Sequence, residues 1–230
     1  VGGGWALKIR TPVIVLNVKA YAESSGERGV ALLKACEEAS EETGASIVIC
    51  PQQVQLALIA KQSRIPVFAQ SVDALDPGSQ TGWVTLQSIK AVGAAGTLVN
   101  HSEHRLKLAE IEWIVSKARE MDLVTCVCTN NVPVSMAAAA VSPDFVAVEP
   151  PELIGSGIAV SRADPQIVRN SVDAVKKVNR KVTVLCGAGI TTGDDVKAAI
   201  ELGSEGVLLA SGVVKAKNPK AAILDLCKGL

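Results

Sequence analysis

Eight short β-branched or aliphatic runs recur along this chain, each followed by a polar turn and a segment with helical periodicity. They are VIVLN (13–17), SIVIC (46–50), VFAQ (67–70), GTLVN (96–100), LVTCVC (123–128), FVAVE (145–149), VTVLC (182–186) and GVLLA (206–210). Between them, ERGVALLKACEEASEETG puts Val30, Leu33 and Cys36–Glu37 at helical spacing and stops at Gly44. GDDVKAAIELG carries acids in its first turn and Gly203 past its end. Strands alternating with helices imply parallel pairing through right-handed crossovers. Eight such units in 230 residues fit an α/β fold with a single (β/α)8 barrel of eight parallel strands. A doubly wound open sheet is the alternative.

Composition supports a buried parallel sheet. Hydrophobic residues make up 48% of the chain but aromatics only 3%, so Val, Ile, Leu and Ala must fill the core. No linker or shift in composition marks a second domain. The barrel is assigned to residues 11–230, and residues 1–10 to an N-terminal extension or processing remnant with its lead-in, because VGGG lacks an initiator Met. Two connections, 71–95 and 150–181, are longer than a minimal turn and helix.

Charge and cysteine usage narrow the partners. Twenty-three basic and 23 acidic residues cancel, which argues against a nucleic-acid or anionic-membrane surface. An anionic ligand must then be held by local geometry. No apolar run approaches the ~18 residues of a membrane span, and no signal peptide is visible. Of six cysteines, four lie in or at the ends of apolar runs, where thiols behave as small hydrophobes. The C-x-C of Cys126 and Cys128 has no second pair at zinc spacing, so no metal is expected. Reduced, structural thiols point to the cytoplasm.

In a parallel barrel the site lies at the C-terminal ends of the strands. The first run ends on Asn17 and Lys19, the fourth on Asn100, His101 and Glu103, and the sixth on Glu149. Asn17 and Lys19 share period-2 parity and are expected to face the barrel mouth together. His104, three residues beyond His101, reads as surface or packing. Pro150 holds Glu149 extended and so aims its carboxylate. The runs CGAGI and LASG offer backbone amides at Gly189 and at Ala210–Ser211, which suit a phosphate. In PELIGSG, Gly155 and Gly157 suggest a lid hinged beside a catalytic base.

These motifs (NVK, NHSEHR, AVEPPELIGSG, CGAGI and LLASGVVKA) together resemble the archaeal type of triosephosphate isomerase, in order and from about residue 11 onward. The resemblance implies a TIM barrel that needs no cofactor and interconverts dihydroxyacetone phosphate and D-glyceraldehyde 3-phosphate, in glycolysis and gluconeogenesis. It implies Glu149 as general base, His101 as neutral electrophile and Lys19 as the active-site lysine, with Glu103 behind them. The substrate-binding set would be Asn17, Val18, Lys19, Ile154, Gly155, Gly189, Ala210 and Ser211.

It also implies self-association, as a homotetramer or a homodimer. Two departures bear on this. Val18 stands where the family has an aromatic residue, and its side chain is expected to face away from the site. The third connection, AQSVDALDPGSQTGW, lacks histidines that related sequences carry at Ser71, Gln80 and Trp83. It resembles a region of subunit contact. Two rival readings are another phosphate-handling barrel enzyme and a barrel scaffold that has lost its activity.

Overall fold

A computed structural model of the chain describes residues 9–150 and 159–230. The elements run β1 (Val13–Asn17), α1 (Glu27–Thr43), β2 (Ser46–Cys50), α2 (Leu56–Gln62), β3 (Phe68–Ala69), α3 (Leu86–Ala91), β4 (Gly96–Val99) and α4 (Leu108–Glu120). They continue with β5 (Val124–Thr129), α5 (Val132–Ala140), β6 (Phe145–Val148), α6 (Val160–Ala163), α7 (Pro165–Val178), β7 (Thr183–Gly187), α8 (Gly193–Glu201), β8 (Gly206–Leu209), α9 (Ser211–Val214) and α10 (Pro219–Cys227).

The eight strands form one parallel sheet in the order β2-β1-β8-β7-β6-β5-β4-β3. Its two ends meet at a single parallel bridge between Ile49 and Val67, where the Ile49 N–H donates to the Pro66 carbonyl at 3.2 Å. That contact makes the sheet a barrel and rules out the open doubly wound alternative. Third-strand pairing is shorter than the run VFAQ predicts. Pro66 has no N–H to offer, and Gln70 ties to the neighbouring strand through its side chain: its Nε2 donates to the Cys50 carbonyl at 3.0 Å.

Strand parity divides the core into two layers. Val13, Val15, Val48, Leu98, Ala147, Leu185 and Leu208 pack inside the barrel with Phe68 and Phe145. Ile14, Leu16, Ile47, Ile49, Val146 and Val184 face the helices. Apart from these two rings, the interior is filled by aliphatic side chains and thiols. Cys50, Cys126 and Cys128 fill part of it. All six cysteines are free and only Cys227 is partly exposed.

Helix ends follow from local chemistry. Gly44 closes α1 at a positive φ of 73°. Asn131, Asp164 and Asn218 cap α5, α7 and α10 through their side chains, each with a proline in the first turn. Among the described residues, no helix is long and apolar enough to cross a membrane.

Candidate active site

Lys19 lies just past the end of β1 with φ at +49°, a left-handed conformation unusual for a residue with a side chain. Two neighbours hold it there. The Asn17 Oδ1 accepts the Lys19 N–H at 3.0 Å, and Gln70 Nε2 donates to the Lys19 carbonyl at 3.1 Å. This turn brings Lys19 to the barrel mouth beside Asn17, so strand parity alone is not what aligns them. Val18 falls between the two and faces the other way. Its side chain is buried in the helix-facing layer and is not among those lining the cavity.

The end of β4 supplies the imidazole. Asn100 turns the chain at φ +61° and braces it by donating Nδ2–H to the Cys128 carbonyl at 2.9 Å and accepting the Leu106 N–H at 2.9 Å. His101 follows, 5% exposed. Its Nδ1 accepts the backbone N–H of Glu103 at 3.2 Å. That contact is one an imidazole makes when its hydrogen is on Nε2, and it comes from a turn amide. Glu103 stands closer than its expected supporting position: its Oε1 bonds Lys19 Nζ at 2.8 Å and its Oε2 is 3.6 Å from His101 Nδ1. His104 is exposed, as its sequence position suggests.

Glu149 sits immediately beyond β6, 5% exposed, with its N–H bonded to the Thr129 carbonyl at 2.7 Å. Its Oε1 is 3.6 Å from His101 Nε2, and its buried Oε2 has no hydrogen-bond partner among the described residues. The space for this side chain comes from the next strand. A Cβ on Gly187 would collide with Glu149 Cγ, so only glycine lets the carboxylate lie across β7. The Cys128 thiol is held well above its usual pKa by its hydrogen bond with Cys126, by burial and by the charge of Glu149. Burial likewise pushes Cys186 up to about 12. Both thiols remain protonated near Glu149.

Opposite these groups the cavity is walled by backbone. Ala188 and Gly189 both adopt positive φ, at 69° and 72°. Asp195 secures the loop that follows: its Oδ2 accepts the N–H groups of Thr191 and Thr192, both at 3.0 Å, and the Thr191 hydroxyl at 3.1 Å. Although burial opposes ionisation, these bonds from Thr191 and Thr192 hold the Asp195 carboxyl below its ordinary pKa. Gly189, Ala210 and Ser211 all line the cavity, whose volume is about 230 Å³, together with Asn17, Lys19, His101, Glu103 and Glu149. Ile154 and Gly155, assigned to a lid, lie outside the described residues.

The sequence reading missed Tyr21, Ala188 and Thr191 in the lining, and Gln70 and Gly187 in support. Tyr21 had a signal, as the chain's one tyrosine two residues after Lys19. Gln70 and Gly187 fell within noted runs, but their support acts across sequence distance and gave no signal of that role. No group of three or more His, Cys, Asp or Glu among the described residues could hold a metal ion.

The sequence model of the triosephosphate isomerase family matches residues 12–229. The triosephosphate isomerase of Methanothermus fervidus is 58% identical over 215 residues, covering 94% of this chain and 97% of the relative. That of Methanothermobacter thermautotrophicus is 55% identical over 94% of each chain. That of Methanocaldococcus jannaschii is 55% identical over 94% of this chain and 99% of the relative.

Proposed function

The chain belongs to the triosephosphate isomerase family, and on that premise we propose how its residues interconvert dihydroxyacetone phosphate and D-glyceraldehyde 3-phosphate. Glu149 takes the proton from the carbon next to the carbonyl and returns it to the neighbouring carbon. His101 donates its Nε2–H to the carbonyl oxygen as negative charge develops there. A neutral imidazole in this role is already known for the family. Lys19, anchored by Glu103, stabilises the enediolate electrostatically. The amides of Gly189, Ala210 and Ser211 receive the phosphate, with Asn17 fixing the turn that presents Lys19. No step calls for a redox change or a cofactor, since a proton moves between adjacent carbons and oxygens.

One observation carries this assignment: the Glu103 N–H on His101 Nδ1 leaves Nε2–H facing Glu149 Oε1, 3.6 Å away. That distance exceeds a direct hydrogen bond, so neither group is tied up by the other and both are available to a substrate's carbonyl and its acidic carbon.

The test is isomerisation of D-glyceraldehyde 3-phosphate in a coupled NADH assay, beside Glu149→Gln. Turnover should fall by about 10²- to 10⁴-fold, as expected when a general base is lost, with the melting temperature retained. Near-normal turnover would remove Glu149 as the base. A folded wild type without turnover would return the chain to the scaffold reading.

A homotetramer remains our proposal for the assembly, with a homodimer as the outcome that would replace it in equilibrium sedimentation. Exposed Leu108 borders an apolar cavity of about 340 Å³ between α4 and α5, a surface suited to self-association. The free and mostly buried thiols suit a reducing compartment and support our reading of a cytoplasmic enzyme.

A further inference from the structure

The active site has an electrostatic deficit. Among the described lining side chains, Lys19 contributes one positive charge while Glu103 and Glu149 each contribute a negative one. His101 adds no charge on the isomerase reading, and Lys19 is already paired with Glu103 at 2.8 Å. A site with this balance must still accept a phosphate dianion. The chain as a whole has a net charge of zero, so no general field makes up the difference.

A second cation stands against one of the lining side chains. Lys215 Nζ lies 4.6 Å from the centre of the Tyr21 ring, within reach of a cation–π contact. Tyr21 itself lines the cavity together with Ser211. Its backbone is fixed: the carbonyl accepts the Ser24 N–H at 3.0 Å, the Ser24 hydroxyl at 2.8 Å and Gln52 Nε2 at 3.0 Å. Lys215 is one helical turn beyond Ser211, and its N–H bonds the Ser211 carbonyl at 3.1 Å. A free lysine side chain would sweep through solvent and lose most of its effect on a nearby anion. Contact with the face of a ring that itself lines the cavity restricts that sweep.

We propose that Tyr21 and Lys215 form a clip at the phosphate end of the site, with Tyr21 as a positioning residue that holds the Lys215 ammonium where it offsets the charge of the substrate's phosphate. The inference rests on the isomerase reading for the identity of the substrate. The clip favours binding of the phosphate over the chemistry at the carbonyl. Its effect belongs in KM and in the affinity for inorganic phosphate, and it weakens with salt.

The test compares Lys215→Met, Lys215→Arg, Tyr21→Leu and Tyr21→Phe with the wild type. The readouts are kcat, KM for D-glyceraldehyde 3-phosphate at low and raised salt, and inorganic phosphate binding by calorimetry. Lys215→Met should raise KM and weaken phosphate binding about three- to tenfold, the order expected of one partly screened charge facing a dianion. Its salt dependence should flatten. Tyr21→Leu should shift both in the same direction by about two- to fivefold, the worth of the lost ring contact. Tyr21→Phe and Lys215→Arg keep the ring and the charge and should rescue.

Unchanged KM and phosphate affinity in a folded Lys215→Met would overturn the proposal. So would a loss confined to kcat, or a Tyr21→Phe as impaired as Tyr21→Leu. An inactive wild type would sink the isomerase reading instead, and phosphate calorimetry would then decide the clip alone.

Discussion

Gly187 and Glu149 show how a single missing methyl group can matter to catalysis. The carboxylate reaches its place beside His101 only because β7 has no side chain under Glu149 Cγ. Gly187→Ala should therefore push the base aside while leaving the helix-facing layer intact. Displacement of a reacting group by about 1 Å costs on the order of 10²-fold in rate, so kcat should drop by about that factor with the melting temperature little changed. Normal kcat in this variant would mean that Glu149 has a second productive position. Lys19, His101 and Glu149 were legible in the sequence because each is a polar residue ending an apolar run, where a barrel puts its site. Gly187 was visible only as part of a small-residue turn read for phosphate. Its real constraint comes from a side chain on the preceding strand, and one sequence cannot display that. The Val18 side chain turns away from the site, as alternation along the strand predicts.

At the scale of elements, the β7–α8 connection shows how a helix start doubles as a wall of the site. Thr192 and Asp195 form a capping box at α8, and the same carboxylate ties down Thr191, which lines the cavity. Asp195→Ala should destabilise the fold by about 1–3 kcal/mol near neutrality, the usual result of leaving buried donors without an acceptor. It should also raise KM by loosening the loop that carries Gly189. The pH dependence has a definite sign. The folded pKa of Asp195 lies below its ordinary value, so its charged form contributes stability above the unfolded pKa, about 3.9. That contribution fades as pH falls through the folded pKa. The gap between wild type and variant in urea titrations should accordingly be full at pH 7 and narrow in acid. A gap that widened in acid would assign the loop's stability to another group. Most strand and helix positions were readable from their apolar runs and end signals, with bounds shifting by a residue. β3 was overestimated because Pro66 and Gln70 remove ladder bonds at its two ends, a loss that hydrophobicity does not report.

For the whole molecule, the consequence of that short strand is an uneven barrel. β1 and β2 pair through five residues, while β2 and β3 share one bridge. Eight recurring runs were enough to argue for a closed parallel barrel, but where its seam lies depends on pairing between strands and had to come from the structure. Above the bridge, Gln70 joins the two sides by donating to both Cys50 and Lys19 carbonyls, at 3.0 and 3.1 Å. The seam is thus fastened beside the active-site lysine by a side chain instead of by a ladder. Regions with few backbone bonds open at lower free energy than the core. The Ile49 amide, which crosses the seam, should exchange with solvent faster than the amides of β5, which is paired on both sides. Gln70→Ala should widen that difference and lower kcat/KM by about tenfold, because losing the two bonds to Cys50 and Lys19, about 0.5–1.5 kcal/mol each, also frees the strained turn at Lys19. If Ile49 and β5 exchange together in both proteins, the barrel opens only as a unit and Gln70 adds nothing to its closure. If Ile49 alone accelerates as activity falls, the weakest seam of the barrel and the placement of its cation depend on the same glutamine.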